Sequence, residues 1–261
     1  MMTHSAVAFL ETHVIPYLHI FVRVSGIFML TPIFSIQETP ITVKGWLSAG
    51  LALVLYPVIS PFLAVGEAFD SILLLRLADD FLIGLLIGLF ILVYYTALLM
   101  AGEFYSLQIG FGIINVIDPL SETSIPILGQ LKSLFALVVF TIMDGHHMVI
   151  EAIVYSFRVL PELALASSKP LTMGLLTAIH EMFVIAFQIG APVMGTMFLI
   201  ELVMGIMSKV APQMNVMVVG FQIKIVAGMF LIILILPTVM VMSQNLFLRA
   251  FMMVHGVLAH L

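Results

Sequence analysis

Residues 71–120 read SILLLRLADDFLIGLLIGLFILVYYTALLMAGEFYSLQIGFGIINVIDPL. From Ser71 to about Phe104 the run is dominated by apolar side chains. A helix needs about 20 apolar residues to cross a bilayer, because each residue rises ~1.5 Å and the hydrocarbon core is ~30 Å thick. This run is much longer, so it is a tilted or kinked helix or a hairpin of two shorter ones. No period-2 alternation is present, which argues against a membrane β-barrel. The expected fold class is all-α: membrane-associated long kinked helices and helical hairpins.

Five further apolar stretches surround it, at about Val14–Phe34, Ile41–Leu63, Ile127–Leu160, Leu171–Lys209 and Gln213 to the C-terminus. Proline, glycine and charge clusters separate them. Pro192 and Pro237 are the expected kinks, since proline removes a backbone donor and clashes with the preceding turn. Of 261 residues, 62% are hydrophobic and 9% charged, against roughly 45–50% and 25% in soluble domains. The excess apolar surface must face lipid, other subunits, or both. There is no cysteine, so disulfides and thiolate metal sites are excluded. The net charge of -5 is spread thinly with no basic run, which argues against nucleic acid. Arg23 is the first cationic residue, so the basic start of a cleaved signal peptide is missing and the first segment is expected to be retained.

Charge asymmetry does not orient the spans. With six spans, one side holds Arg76, Arg158, Lys169 and Arg249, and the other holds Lys44, Lys132, Lys209 and, if counted, Lys224. Either partners set the topology, or these helices do not sit in lipid as ordinary spans.

Several charges lie inside apolar stretches: Asp79, Asp80, Glu181, Glu201 and Lys224. A bare charge at bilayer depth costs roughly 2.5–3.5 kcal/mol on insertion scales. Each is a proton-relay or ion-path candidate, or else marks a helix end or an ion pair between subunits. Asp144-Gly145-His146-His147 resembles a metal site, but adjacent histidines on a helix point about 100° apart. A polar, glycine-containing break is the expected reading, and no metal or other cofactor is expected. His4, His13, His19, His180, His255 and His260 form no ligand set. Gly84 and Gly88 form a GxxxG pair suited to close helix contact. Met194, Met197, Met204, Met207, Met214 and Met217 form no single stripe, so they read as core filling or as an adaptable partner surface.

The segment after Phe104 is the most informative part of the chain. Gly110 and Gly112 flank Phe111 and permit unusual backbone angles. Ile113, Ile114, Val116 and Ile117 follow, while Asn115 and Asp118-Pro119 supply turn chemistry. Irregular backbone at membrane depth survives only inside protein or along a cavity. So apolar a loop is a plug within a pore or a re-entrant packing segment.

Ala101-Gly102-Glu103-Phe104 with Gln108 and Gly110, then Asp118-Pro119 and Pro126, are followed in order by Gly145-His146, Pro161, Ala211-Pro212-Gln213 and Gly220-Phe221. Arg23, Pro32 and Pro40 precede them. This ordered set, spanning nearly the whole chain, resembles the FliR/SctT family of type III secretion export-gate proteins. The resemblance implies a non-enzymatic subunit that looks like a fused FliP-like and FliQ-like chain. Residues 1–165 would be the FliP-like part with the plug loop, and residues 166–261 the FliQ-like hairpin. It implies a closed, helically staggered ring with FliP-like and FliQ-like subunits, with FlhB-like and FlhA-like proteins alongside. That ring would sit at the bacterial inner membrane in the flagellar basal body and pass unfolded export substrates. The family's long helices lie largely above the ordinary membrane plane, which would account for the unhelpful charge asymmetry. Its plug loop maps onto about Ile109 to Ile125. Its methionine gasket belongs chiefly to FliP-like subunits and is not transferred to the methionines here. Asp144 stands where relatives carry Asn.

Two rivals come from other classes. A secondary transporter would use Asp79, Asp80 or Glu181 for proton coupling, and predicts two related halves, but no clear internal repeat is found. An intramembrane enzyme would need a paired catalytic motif, and neither GxGD, HExxH nor a serine nucleophile elbow is present.

Overall fold

Apolar runs with no strand periodicity satisfy their own backbone hydrogen bonds only as helices, and helices are what they form. The computed structural model describes residues 10–31, 40–63, 72–110, 127–160, 168–213 and 215–260. Among these residues there are seven α-helices and no strand. They are α1 (Ile15–Leu30), α2 (Ile41–Ile59), α3 (Leu73–Ile109), α4 (Ile127–Ile142), α5 (Gly145–Val159), α6 (Ser168–Val210) and α7 (Val216–His260). A π-helical turn, Leu10–Val14, leads into α1, and a 3₁₀ turn, Ser60–Phe62, follows α2.

The stretch around Ser71–Phe104 is one helix of 37 residues, and α6 and α7 run for 43 and 45. The stretch Ile127–Leu160 instead divides at Asp144. This is the only described non-glycine residue with positive φ, at φ 55° and ψ 33°. Its carbonyl accepts the His147 and Met148 N–H groups at 2.9 and 3.2 Å and starts α5. Pro192 and Pro237 lie inside α6 and α7, which continue through them. Around Pro192 the reason is packing. Gly190, Val193 and Met197 are buried on the same length of helix, and that burial offsets the roughly 3 kcal/mol a mid-helix proline costs. By length and composition, five helices could cross a membrane, or six if α4 and α5 form one broken span.

The chain divides into two compact units. The first comprises residues 1–94, 144–179 and 247–261. Its centre is the crossing of α1 with the N-terminal part of α3, where both backbones are bare of side chains. A Cβ on Gly84 would sit 2.1 Å from the Arg23 carbonyl oxygen, and one on Gly26 would sit 2.5 Å from that of Phe81. Gly88 approaches the Ile27 carbonyl at 2.9 Å in the same sense. The GxxxG pair is thus a helix contact, and Gly26 supplies the facing notch. Ile20, Val24, Ile27, Ile83, Ile87 and Phe90 fill the surrounding core.

The second unit comprises residues 95–143 and 180–246. Within it α6 and α7 pair antiparallel about Ala211-Pro212-Gln213. Gly220 faces Met204, and Lys224 pairs with Glu201. Nearer α3, Ile109, Val193 and Met197 form a buried cluster against Tyr105, Ile225 and Leu231.

Gly84→Ala should destabilise the protein by about 1–3 kcal/mol, because a backbone carbonyl cannot rotate out of the way. Gly45→Ala, with no atom within 4 Å of its new methyl, should be neutral or slightly stabilising. Thermal unfolding of both variants in the same detergent compares them directly.

Candidate functional site

Among the described residues, the places that bear on function include a buried charge cluster, the end of α3 that leads into the candidate plug, and the turn joining α6 to α7.

The charge cluster belongs to the first unit. Arg23, on α1, is 1% exposed. Its Nε donates to Asp80 Oδ1 on α3 at 2.8 Å, and a second guanidinium nitrogen donates to the same oxygen. One remaining N–H reaches Ser156 Oγ at 3.2 Å and another the Leu160 carbonyl at 3.0 Å, so the end of α5 is tied in. Ser156 passes its own hydrogen to the Ile153 carbonyl at 2.7 Å. The Phe157 ring lies 3.7 Å under the guanidinium carbon, giving the cation an aromatic face as well. His19, one turn before Arg23, takes up the other Asp80 oxygen through Nδ1. The neighbouring Asp79 is buried too.

Asp79 and Asp80 were open to a relay or a structural reading. The geometry of Asp80 is that of a counter-ion. Both its oxygens are engaged, one by Arg23 and the other by His19. Arg23 was legible only as part of a family pattern, His19 was read only as one of the scattered histidines, and Ser156 was not picked out. The available signal was that Arg23, the one Lys or Arg on its apolar helix, must find an acid such as Asp79 or Asp80. Glu201 and Lys224 also pair within the chain. That pair is partly exposed and bridges α6 to α7, where it sets register more than it adds stability.

The candidate plug begins at the end of α3. Ile109 is fully buried, and its branched side chain fits against Gly228 on α7, where an added Cβ would come within 2.6 Å of Ile109 Cγ1. Gly110 then turns the chain with φ 102°, in the region only glycine enters cheaply. Its N–H caps the helix by bonding the Ser106 and Leu107 carbonyls at 3.3 and 3.2 Å. Phe111, Gly112, Ile113, Ile114, Asn115, Val116, Ile117, Asp118 and Pro119 lie outside the described residues. Upstream, Glu103 is exposed and Gln108 half-buried. The backbone near Ala101 and Phe104 approaches Gly190 of α6, where an added Cβ would meet Phe104 Cβ at 3.5 Å.

The remaining motif residues lie in the α6–α7 turn, on α7 and at the start of α5. Pro212 and Gln213 are exposed in the α6–α7 turn, where the Ala211 N–H closes α6 on the Met207 carbonyl at 2.9 Å. Gly220 is buried against the Met204 side chain, and Phe221 beside it is half-buried. Gly145 is buried at the start of α5, with His146 exposed next to it. Met197 is core, while Met207 is 40% exposed.

Residues 14–250 match the bacterial export proteins, family 1. The chain belongs to that family. Among its relatives is the flagellar biosynthetic protein FliR of Bacillus subtilis, 30% identical over 236 residues, covering 88% of this chain and 90% of the relative. FliR of Escherichia coli is 25% identical over 245 residues, covering 92% and 91%. FliR of Aquifex aeolicus is 24% identical over 237 residues, covering 91% of each. This member of the export family is therefore a non-enzymatic, multi-pass membrane component of the flagellar export apparatus.

Asp80→Asn leaves the Arg23 cation buried without its counter-ion and should cost about 3–5 kcal/mol. Replacing both partners by apolar residues, Arg23→Met with Asp80→Leu, should recover much of that loss. Unfolding midpoints of the single and double variants measure it. A proton-relay role predicts instead that Asp80→Asn leaves the midpoint unchanged and abolishes export.

Proposed function

We propose that this chain is one subunit of a closed hetero-oligomeric export gate, contributing part of the channel wall and the segment that seals it at rest. The observation that carries the proposal is the mismatch between apolar length and burial in α6 and α7. At ~1.5 Å per residue these helices extend roughly 64 and 67 Å, about twice a ~30 Å hydrocarbon core. Yet only 28% of the most apolar window of α6 and 6% of that of α7 is buried. Phe187, Phe198 and Leu199 on α6 and Val226, Phe230 and Ile233 on α7 are all exposed. Lipid covers at most about half of such a surface, and the remainder needs other protein chains. The resemblance supplies their identity: FliP-like and FliQ-like subunits in the ring, with FlhB-like and FlhA-like proteins beside it. On this reading residues 1–165 take the FliP-like place and residues 166–261 the FliQ-like place.

Gating follows from the end of α3. Ile109 is held in the α6–α7 notch and Gly110 redirects the chain, so the segment that follows starts from a fixed point. Phe111, Ile113, Ile114, Val116 and Ile117 then pack against facing subunits and exclude water. Each large side chain so buried is worth roughly 1.5–3 kcal/mol, and a handful holds the passage shut until assembly, substrate or the proton-motive force displaces them.

Co-expression with FliP-like and FliQ-like chains should yield a hetero-oligomer containing this polypeptide by native mass measurement; recovery only as a lone monomer would sink the assembly. In the assembled complex, a Gly/Ser linker in place of residues 110–117 should raise ion conductance across a bilayer. Gly228→Ala, which unseats Ile109, should leak in the same direction. Conductance unchanged by the linker would rule out the plug.

A further inference from the structure

We propose that Asp144, His146 and His147 form a binding site for one divalent transition-metal ion of the zinc type. The sequence sets Asp144 beside two adjacent histidines that fan apart on a helix. The structure brings the Asp144 carboxylate to both rings and resolves the fan. Asp144 sits in the left-handed conformation just ahead of α5, which brings its carboxylate back over the first turn. His147 presents its near nitrogen, Nδ1, 3.5 Å from Asp144 Oδ1. His146 presents its far nitrogen, Nε2, 4.0 Å from the same oxygen. The different reach of the two nitrogens offsets the different directions of the two side chains, and the rings lie 4.2 Å apart, centroid to centroid. The three ligand atoms lie within 4.8 Å of one another. Tetrahedral zinc with bonds of ~2.0–2.2 Å requires ligand atoms roughly 3.3–3.6 Å apart. Small side-chain rotations bridge the difference, and all three groups are exposed and free to make them. Two imidazoles and one carboxylate suit Zn²⁺, Ni²⁺ or Cu²⁺ and suit Mg²⁺ or Ca²⁺ poorly. A fourth position stays open to water.

The ion would hold the first turn of α5, and His146 connects that turn to a second feature. It lines an apolar cavity of about 400 Å³ with Val149, Ile150, Phe28, Leu47 and Trp46. Trp46 is the single tryptophan of the chain, so an open-shell ion bound beside His146 will quench a fluorophore placed on the same cavity.

The test uses the full chain, purified in detergent and freed of metal with a chelator. Zn²⁺ titrated calorimetrically should bind at one equivalent, and Ni²⁺ should quench Trp46 saturably with competition by Zn²⁺. His147→Ala and Asp144→Asn should each weaken binding at least about tenfold. The asparagine tolerates the left-handed backbone that Asp144 requires, so this variant removes the ligand charge and keeps the turn. His180→Ala, an exposed histidine elsewhere, should change nothing. Absence of saturable binding, or affinity unchanged in both Asp144→Asn and His147→Ala, overturns the site and leaves two ordinary histidine–aspartate contacts at a helix start.

Discussion

The Arg23 guanidinium lies among apolar helices, and that burial constrains everything packed around it. An ion moved out of water loses several kcal/mol of solvation, which is regained only through a counter-charge and a full set of hydrogen bonds. Here both come from other elements: Asp80 from α3, Ser156 and the Leu160 carbonyl from the end of α5, and Phe157 as an aromatic face. Three segments far apart in sequence are thereby fixed in register. The close approach of α1 and α3 at Gly26, Gly84 and Gly88 is the steric partner of that electrostatic requirement, because only bare backbone lets Arg23 reach Asp80 without a gap.

The second unit is organised differently. Its α6–α7 pair buries little, has one partly exposed ion pair across it, and keeps a small cluster around Ile109, Val193 and Met197. Little of its apolar surface is used internally. In a membrane-embedded export component this division is mechanically sensible. One part carries its own well-satisfied core, and the other leaves long apolar faces exposed. The junction of α3 with Gly228 links that offered surface to the start of the candidate plug.

Much of the fold was readable in advance, because composition and run length leave few options. Without alternation or turn signals, apolar runs of this length become helices wherever water is excluded. Pro192 was expected as a kink, and α6 continues through it beside the buried Gly190, Val193 and Met197. The polar, glycine-containing break expected at Asp144-Gly145 does divide its stretch, through the left-handed conformation of Asp144. Local propensity sets a cost of a few kcal/mol at each such point, and neighbours decide whether it is met. Gly110 was legible because glycine is the one residue for which its φ of 102° is inexpensive.

Of the polar residues, the sequence alone determined that charges such as Asp80 and Lys224 could not stay bare, because desolvation is a property of the group. It could not determine the partners. Which cation meets Asp80 and which acid meets Lys224 depend on how separate helices are brought together, and whether His146 and His147 converge on Asp144 depends on the left-handed turn ahead of α5. Those distances are set by backbone contacts at a few glycines and one left-handed residue, and they exist only once the tertiary structure has formed.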